Sequence, residues 1–346
     1  MEVGLQLPHL GEHATPSFVR DFAQAAEELG FDGLWAADHV AVPRRIRSAY
    51  TLAGGRPPED GALSAVLGGN LECLTTLAYV AAVTRRVKLG TSVAVLPLRH
   101  PLLNAAMLAS LDAYCDGRLW FGVGAGWLRE EAEALQMPWD RRGARMDEHL
   151  ELLRRMWSEP GDYLTFHGTF YDVEEIDVRP RPARPGGPPI LVGGHSASAL
   201  DRAGRLGHGW IASRITPAEL AAGFATVRET ARRHGRDPAT LRLHANVDFS
   251  PRADLRRFAI VSDAVAKHGA AAQGVGVSER PEEIVASLRA YAGAGVHHLK
   301  VSARMATAEA ELAWLRLLAR EVLPALRGGS GPRPAGRADD AQRQVT

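Results

Sequence analysis

The chain has little cysteine and almost no net charge. Its two cysteines, Cys73 and Cys115, stand far apart and show neither CxxC nor Cys/His ligand spacing. This pattern indicates neither a disulfide framework nor a zinc or other metal site, and both thiols are expected to be reduced core residues. With 41 basic and 40 acidic residues, the formal net charge is +1. No overall field draws such a protein onto nucleic acid or anionic lipid, so the expected partner is a small molecule.

The chain also lacks a long apolar run. No stretch approaches the roughly 20 residues that a membrane span needs. Strand-like residues begin almost at Met1 and leave no room for a signal peptide. We therefore expect a cytoplasmic protein with no membrane partner. What the chain does have is 346 residues with 46% hydrophobic content, which is ample for a large core.

Short apolar runs alternate with amphipathic segments along most of the chain. The helix predicted at about Ser17 to Leu29 carries apolar residues at helical spacing, and Gly30 ends it. Eight runs have the character of strands: 3–7, 34–37, 87–96, 118–123, 190–192, 209–212, 241–249 and 299–302. Eight strands separated by helices predict a (β/α)8 TIM barrel with insertions, in a single domain over residues 1–326.

Three segments depart from this alternation. Residues 40–69 are rich in Gly, Pro and Arg and are predicted to form a lid over the barrel mouth. Residues 163–189 are a second insertion, whose prolines are expected to forbid helix and most strand pairing. Residues 327–346 have no hydrophobic pattern and are predicted to be a disordered tail.

Asp38 and His39 follow directly on the second predicted strand, Leu34 to Ala37. In a barrel of this kind, the carboxyl ends of the strands hold the chemistry. A carboxylate and an imidazole at that position are therefore candidate catalytic residues. The structural alternative is that Asp38 caps the next segment and His39 is an ordinary loop histidine.

Two glycine-rich turns follow other predicted strands. The first, Gly122 to Trp127, reads GVGAGW, and its Trp127 stands where a dinucleotide fingerprint would need a third glycine. These glycines either let the backbone approach a ligand at Ala125 and Gly126 or serve close packing between strand and helix.

The second turn, Gly193-Gly194-His195-Ser196, leads from a strand into a helix. Free backbone N–H groups and the helix dipole at such a start favour an anion such as a phosphate ester. The alternative is that Ser196 is an ordinary N-cap residue and the glycines only form the turn.

Taken together, these motifs resemble the luciferase-like monooxygenase superfamily, and most of all its branch that depends on the deazaflavin coenzyme F420. The resemblance covers roughly residues 3–320. It rests on the order and spacing of the segments 30–39, 89–93, 99–103, 122–131, 142–148 and 192–194.

The resemblance implies a barrel that holds a flavin-shaped cofactor at the carboxyl ends of its strands. His39 matches the histidine that exchanges a proton with the substrate, and Asp38 matches an aspartate that contacts the cofactor ring. The pair Ser92-Val93 matches a non-prolyl cis peptide behind that ring. Gly126, Trp127, Gly193 and Gly194 match positions that line the cofactor's ring and tail. Beside them, Ala125, His195 and Ser196 are also expected to contact the cofactor.

Two departures bear on the reaction. Some members that oxidise sugar phosphates have an acidic residue at the position of Trp127, so their substrate is not carried over. FMN-binding members often have an arginine–tyrosine pair where this chain has Arg142-Gly143, which favours coenzyme F420.

The resemblance thus predicts hydride transfer between a deazaflavin and a small organic substrate, with His39 as proton donor or acceptor. The alternative is an FMN-dependent monooxygenase that uses oxygen and a separate reductase, and a third is a barrel without turnover. A homodimer is expected because the helix at Leu74 to Val83 is strongly apolar.

Overall fold

The computed structural model describes residues 1–328 except 12, 50–59, 62–66, 250–274, 277–279, 303–304 and 306, with only the backbone described at 275–276. Its main sheet is parallel and runs in the order β9 (242–249), β11 (298–302), β1 (2–6), β2 (33–36), β3 (88–95), β4 (119–124), β7 (190–193) and β8 (209–213). Strand β8 pairs with β9 and closes the cylinder. This arrangement confirms the predicted (β/α)8 barrel. The short β10 pairs with the end of β9 outside the closed ring.

All eight predicted strands are present in the barrel. Their bounds are β1 Glu2–Gln6, β2 Gly33–Ala36, β3 Lys88–Val95, β4 Leu119–Gly124, β7 Ile190–Gly193, β8 Gly209–Ser213, β9 Arg242–Phe249 and β11 His298–Ser302. The two-residue β10 is Val275–Gly276. The central strands are almost entirely buried, as expected where helices cover the outside of a parallel sheet.

Helices cover the outside of the cylinder. Their bounds are α1 Pro16–Glu28, α2 Cys73–Val83, α3 Pro101–Tyr114, α4 Arg129–Ala134, α5 Arg142–Ser158, α6 Ala197–Leu206, α7 Pro217–Arg233, α8 Pro281–Gly293, α9 Ala308–Leu317 and α10 Leu323–Leu326. Local sequence explains several of the starts. Thr15 caps α1 ahead of Pro16, and Thr216 and Glu219 form a capping box at α7.

Aromatic and histidine rings fill the amino-terminal half of the barrel. Trp35 Nε1 donates to His298 Nε2 at 2.9 Å, and the His298 ring stacks on His244 at 5.1 Å. Glycine at position 90 makes room for this cluster, since a Cβ there would lie 2.3 Å from Trp35 Cζ3. The packed half closes one end of the cylinder and leaves the carboxyl ends of the strands as the open end.

The second insertion corrects one prediction. Residues 163–189 were expected to avoid strand pairing, but Tyr163–His167 (β5) and Asp172–Asp177 (β6) form an antiparallel hairpin. The prolines all lie at 180 and beyond, so they never enter this hairpin. The residues before them pair freely because every backbone N–H there is available.

The other segments are described in part. Within the predicted lid, residues 50–59 and 62–66 lie outside the described residues, as do 329–346 of the predicted tail. The disordered tail therefore stays a prediction, although Arg327 is ordered and donates to Gly30 O and Asp32 at 2.9 Å. Cys73 and Cys115 are buried free thiols, as predicted. Among the described residues, no helix is both long and apolar enough to cross a membrane.

Candidate active site

Asp38 is fully enclosed where the chain leaves β2. Arg99 donates to both of its carboxylate oxygens at 2.7 and 2.8 Å, and Val95 N donates at 2.9 Å. Burial alone would raise the pKa of Asp38, but the hydrogen bonds and charge of Arg99 hold it below its usual value. The side chain exposes no surface. These contacts position the end of β2 against β3, whereas a direct contact between this carboxylate and a cofactor ring stays a prediction.

One group among the described residues has the spacing of metal ligands, namely Asp38, Glu72 and Cys73. Arg99 also donates to Glu72, at 2.7 Å. Its guanidinium therefore supplies the positive charge that these two carboxylates need. The cluster is accounted for as an ion-pair network.

His39 is held by Glu131, which lies in the first turn of α4, just after the glycine-rich turn that follows β4. Its Nδ1 lies 2.9 Å from Glu131 Oε2, and the other oxygen of Glu131 accepts from Val40 N at 2.6 Å and Ala41 N at 3.0 Å. Glu131 is only 1% exposed. A carboxylate can only accept, so this contact favours the neutral tautomer that carries its proton on Nδ1 and leaves Nε2 as the acceptor.

His39 opens onto a pocket between the ends of β3 and β4. The polar residues of its lining are His39, Glu131 and Arg142. Its larger apolar residues include Val95, Leu98, Leu128, Trp127, Met137 and Trp139. Trp127 meets the His39 ring edge-on at 6.3 Å, and the Arg142 guanidinium lies 3.9 Å from the centre of the Trp139 ring. A ligand that entered beside His39 would therefore contact mainly carbon.

The peptide bond between Ser92 and Val93 is cis, as the family resemblance implied. The Val93 side chain packs where β4 and β7 carry glycine. A Cβ at Gly124 would lie 2.9 Å from Val93 Cγ2, and one at Gly193 would lie 3.0 Å from Val93 Cγ1. Val93 thus fills space that two neighbouring strands leave open.

The GVGAG turn is explained largely by this packing. A Cβ at Gly126, where φ is +80°, would lie 2.6 Å from Val95 Cγ1. Gly122 and Gly124 likewise face β3. Of the two interpretations of this motif, the contacts support close packing, here between strands. Ala125, Gly126 and Trp127 nevertheless line the pocket beside His39, so ligand contact at these residues stays open.

At the end of β7, the serine acts as a helix cap. Ser196 Oγ accepts from Ala199 N at 3.2 Å, and Trp210 Nε1 fixes Gly194 O at 2.8 Å. Ser196 is therefore the N-cap residue of α6, as one of the two interpretations expected. This cap does not exclude an anion, because the first amides of a helix have no partner within it. Burial lowers the pKa of His195, which follows Gly194. Phosphate binding at Gly193 to Ser196 stays a prediction.

Polar side chains line the barrel interior below the cis peptide. Asn246 Nδ2 on β9 donates to Ser92 Oγ at 2.9 Å and to Ser213 Oγ at 2.7 Å. Because β9 and β3 stand opposite each other in the ring of strands, this hydrogen bond crosses the interior. Lys300 donates to Gln6 Oε1 at 2.6 Å on adjacent strands. Among the described residues, Gln6 Nε2 and Asn246 Oδ1 are buried without a hydrogen-bond partner.

The sequence motifs missed two of these residues. Glu131 was part of the quoted resemblance but carried no assigned role, and Asn246 carried none either. For Arg99 the sequence left open a contact with an acidic ligand or a solvated loop, and the structure instead pairs it with Asp38 and Glu72. A signal for Glu131 exists, since two consecutive glutamates in the first turn of α4 follow the glycine turn. Nothing in the sequence pairs it with His39, which lies 92 residues away.

Comparison with known proteins decides the family. The model of luciferase-like monooxygenases matches residues 3–257. The chain belongs to the luciferase-like monooxygenase family. It is 30% identical over 350 residues to an F420-dependent glucose-6-phosphate dehydrogenase of Nakamurella multipartita, covering 91% of this chain and 94% of that protein. This luciferase-like protein is therefore an oxidoreductase.

Solved structures agree on the fold of this luciferase-like protein. An F420-dependent secondary alcohol dehydrogenase in complex with an F420-acetone adduct has a TM-score of 0.75 and 18% identity, covering 94% of this chain and 99% of that chain. A monooxygenase from Streptomyces bottropensis has a TM-score of 0.71 and 25% identity over the same shares of the two chains. The first of these likenesses shows the fold alone.

Proposed function

We propose that the protein is an F420-dependent oxidoreductase that transfers a hydride between the deazaflavin ring and a small organic substrate. His39 exchanges the accompanying proton with the substrate through Nε2. The observation that carries this proposal is the anchoring of His39 Nδ1 by Glu131 beside the pocket at the barrel mouth. The names of relatives such as the Nakamurella dehydrogenase support the choice of cofactor.

The interior of the barrel has groups that suit the cofactor. A deazaflavin carries a pyrimidinedione edge with both N–H donors and carbonyl acceptors. The unpartnered Gln6 Nε2 and Asn246 Oδ1 offer one donor and one acceptor on the interior wall. Buried polar atoms without partners are rare in native proteins, and a polar ligand edge would satisfy both of these.

Several residues would hold this cofactor. We assign the ring to Ser92, Val93, Ala125, Gly126 and Trp127, and an anionic tail to the helix start at Gly193, Gly194, His195 and Ser196. When bound, a deazaflavin supplies a carbon centre that gives or takes a hydride and reacts poorly with oxygen. Val93 and Trp127 would orient the ligands and exclude water from them.

His39 handles the proton of the reaction. In its neutral form it accepts at Nε2 the hydroxyl proton of an alcohol, and in its protonated form it returns a proton to a carbonyl oxygen. Histidine suits this role because its ring nitrogen can both accept and return a proton. The pocket places mainly apolar side chains around the site, so we propose that the substrate's carbon skeleton packs there.

The monooxygenase at 25% identity favours a second candidate, an FMN-dependent oxygenase on the same barrel with a separate reductase as partner. Titration of the purified protein with coenzyme F420 and with reduced FMN separates the two. Our proposal requires F420 to bind more tightly, with substrate-dependent F420 reduction or oxidation. Oxygen consumption with reduced FMN would support the second candidate instead.

The state of assembly remains part of the proposal. We propose a homodimer. Support comes from half-exposed or exposed apolar side chains on neighbouring outer helices, namely Tyr79 on α2 and Leu103 on α3. Sedimentation measurements test this directly, and a monomer at micromolar concentration would overturn it.

A further inference from the structure

We propose that Glu131 is a positioning residue that selects the tautomer of His39 and thereby assigns proton exchange to Nε2. This inference rests on the proposed function for its catalytic consequence, but the tautomer itself is a property of the protein alone. Glu131 lies in the first turn of α4, and its hydrogen bonds to the connection after β2 are with His39 Nδ1 and with two backbone N–H groups. No other ring nitrogen partner of His39 occurs among the described contacts.

The three hydrogen bonds of Glu131 fix the orientation of its carboxylate. Oε1 accepts from Val40 N and Ala41 N, and Oε2 accepts from His39 Nδ1. Both backbone amides follow His39 directly in the chain. The carboxylate therefore fixes the ring and the backbone that carries it as one unit, and Asn70 Nδ2 adds a bond to His39 O.

A glutamine at position 131 cannot accept hydrogen bonds from the same three donors. Its amide oxygen would take the place of Oε1 and accept from the two backbone N–H groups. Its NH2 group would then face His39 Nδ1, and an NH2 group can only donate. The neutral ring can form a hydrogen bond with this NH2 group only if Nδ1 is the acceptor, and its proton then lies on Nε2. The opposite rotamer would aim NH2 at two backbone donors and lose both of those bonds.

The switched tautomer has a defined effect on the reaction. Neutral His39 with its proton on Nε2 cannot accept a proton from an alcohol, whereas the pocket and the cofactor site keep their shape. The Glu131→Gln variant should therefore lose kcat by about 100-fold, within the range attributed to a positioned acid or base. KM should stay within about twofold, because the lost interaction concerns proton transfer and not substrate contact.

The adjacent Glu130 provides a matched control. Its carboxylate accepts from Arg47 N, Ser48 N and Ser48 Oγ, at 2.6, 3.0 and 2.7 Å, and it anchors the same connection without touching His39. Glu130→Gln makes the same chemical change one residue away. It should leave both the tautomer and kcat of the wild type in place, within about threefold for kcat.

The test is ¹⁵N NMR of the full chain with labelled histidine, with no cofactor or substrate added. The His39 signals are assigned by their loss in His39→Ala. At a pH where the ring is neutral, wild type and Glu130→Gln should show the proton on Nδ1, and Glu131→Gln should show it on Nε2. A wild-type ring with its proton on Nε2 overturns the proposal, even if the Gln variant fails to fold.

Two further outcomes keep this proposal separate from the proposed function. If Glu131→Gln has the switched tautomer but the wild type does not turn over F420, the role of Glu131 is supported and the proposed function is contradicted. If Glu131→Gln turns over F420 normally and keeps its His39 proton on Nδ1, the role of Glu131 is contradicted and the proposed function is not.

Discussion

Arg99 and Asp38 form a buried bidentate ion pair that joins the end of β2 to the segment after β3. Both hydrogen bonds are short, and the Arg99 side chain is only 9% exposed. The charge of each partner raises the stability of the other's ionised form, so the pKa of Arg99 is raised while that of Asp38 is lowered. This pair holds the backbone from which His39 projects.

Removing one partner of this ion pair should lower the stability of the folded protein. Arg99→Met leaves the Asp38 carboxylate buried without compensation, and we expect it to lower the free energy of unfolding by about 3–5 kcal/mol. The double variant Asp38→Asn with Arg99→Met removes the charge as well and should recover part of that loss. Urea unfolding of the wild type, the single variant and the double variant measures both effects. Equal losses in the single and double variants would contradict the ion-pair account.

The packing of Val93 against glycine predicts a compensating pair of substitutions. Gly124→Ala places a Cβ 2.9 Å from Val93 Cγ2 and should destabilise the fold by about 1–3 kcal/mol through overpacking. Val93→Ala removes the obstructing methyl groups. In the double variant, the cost of the alanine at 124 should shrink to less than half, as measured by a double-mutant cycle in urea. A purely additive cycle would show that the glycine is required for another reason.

A buried histidine should make stability depend on pH. Burial, with a smaller effect of the His100 charge, lowers the pKa of His149 to about 3. Its neutral Nε2 accepts from Asn104 Nδ2 at 3.2 Å. Because the folded pKa lies below the unfolded value, this residue's contribution is complete above about pH 6.5 and is lost as the pH falls toward 3.

The matched variant is His149→Gln, which keeps an acceptor for Asn104 but cannot take up a proton. Between pH 7 and pH 5.5, the wild type should lose about 1 kcal/mol more unfolding free energy than this variant. Urea unfolding at the two pH values gives the difference. Parallel losses in the two proteins would show that His149 does not contribute.

Most of the fold was predictable because it follows from patterns that are local in sequence. Short buried strands between amphipathic helices need no knowledge of distant contacts, and all eight were found from their apolar runs. The hairpin at Tyr163–Asp177 was missed because the prolines that follow it were taken to govern the whole insertion. Proline removes pairing only at its own position and its neighbours.

The site was predictable only in part, because its contacts join distant segments. The position of His39 was predicted from its place after the second strand, and the cis peptide at Ser92-Val93 was predicted from the resemblance. Glu131 was not, because its approach to His39 depends on how two strand ends and a turn meet in space. The role of the glycines in the GVGAG turn was ambiguous in the sequence. A bound ligand and a neighbouring valine side chain can each require a residue without a side chain at these positions.

In the proposed function, the substrate packs in the apolar pocket beside His39, and this lining sets the expected class of substrate. Each buried CH₂ contributes about 0.8 kcal/mol to binding, whereas a phosphate placed against carbon loses its water without replacement. With saturating coenzyme F420, secondary alcohols with a short alkyl or aryl chain should therefore show kcat/KM at least about tenfold above that of hexose phosphates. The comparison is made on one preparation of enzyme. A preference for hexose phosphates would show that the pocket is not where the substrate binds.

In the proposed function, His39 moves a proton for a reaction whose hydride passes through coenzyme F420. The most direct test compares wild type with His39→Ala by F420 titration and by F420-linked turnover of an alcohol. We predict equal F420 affinity within about threefold and a loss of about 100-fold or more in turnover. Unchanged turnover in His39→Ala, or no binding of coenzyme F420 to the wild type, would contradict the account.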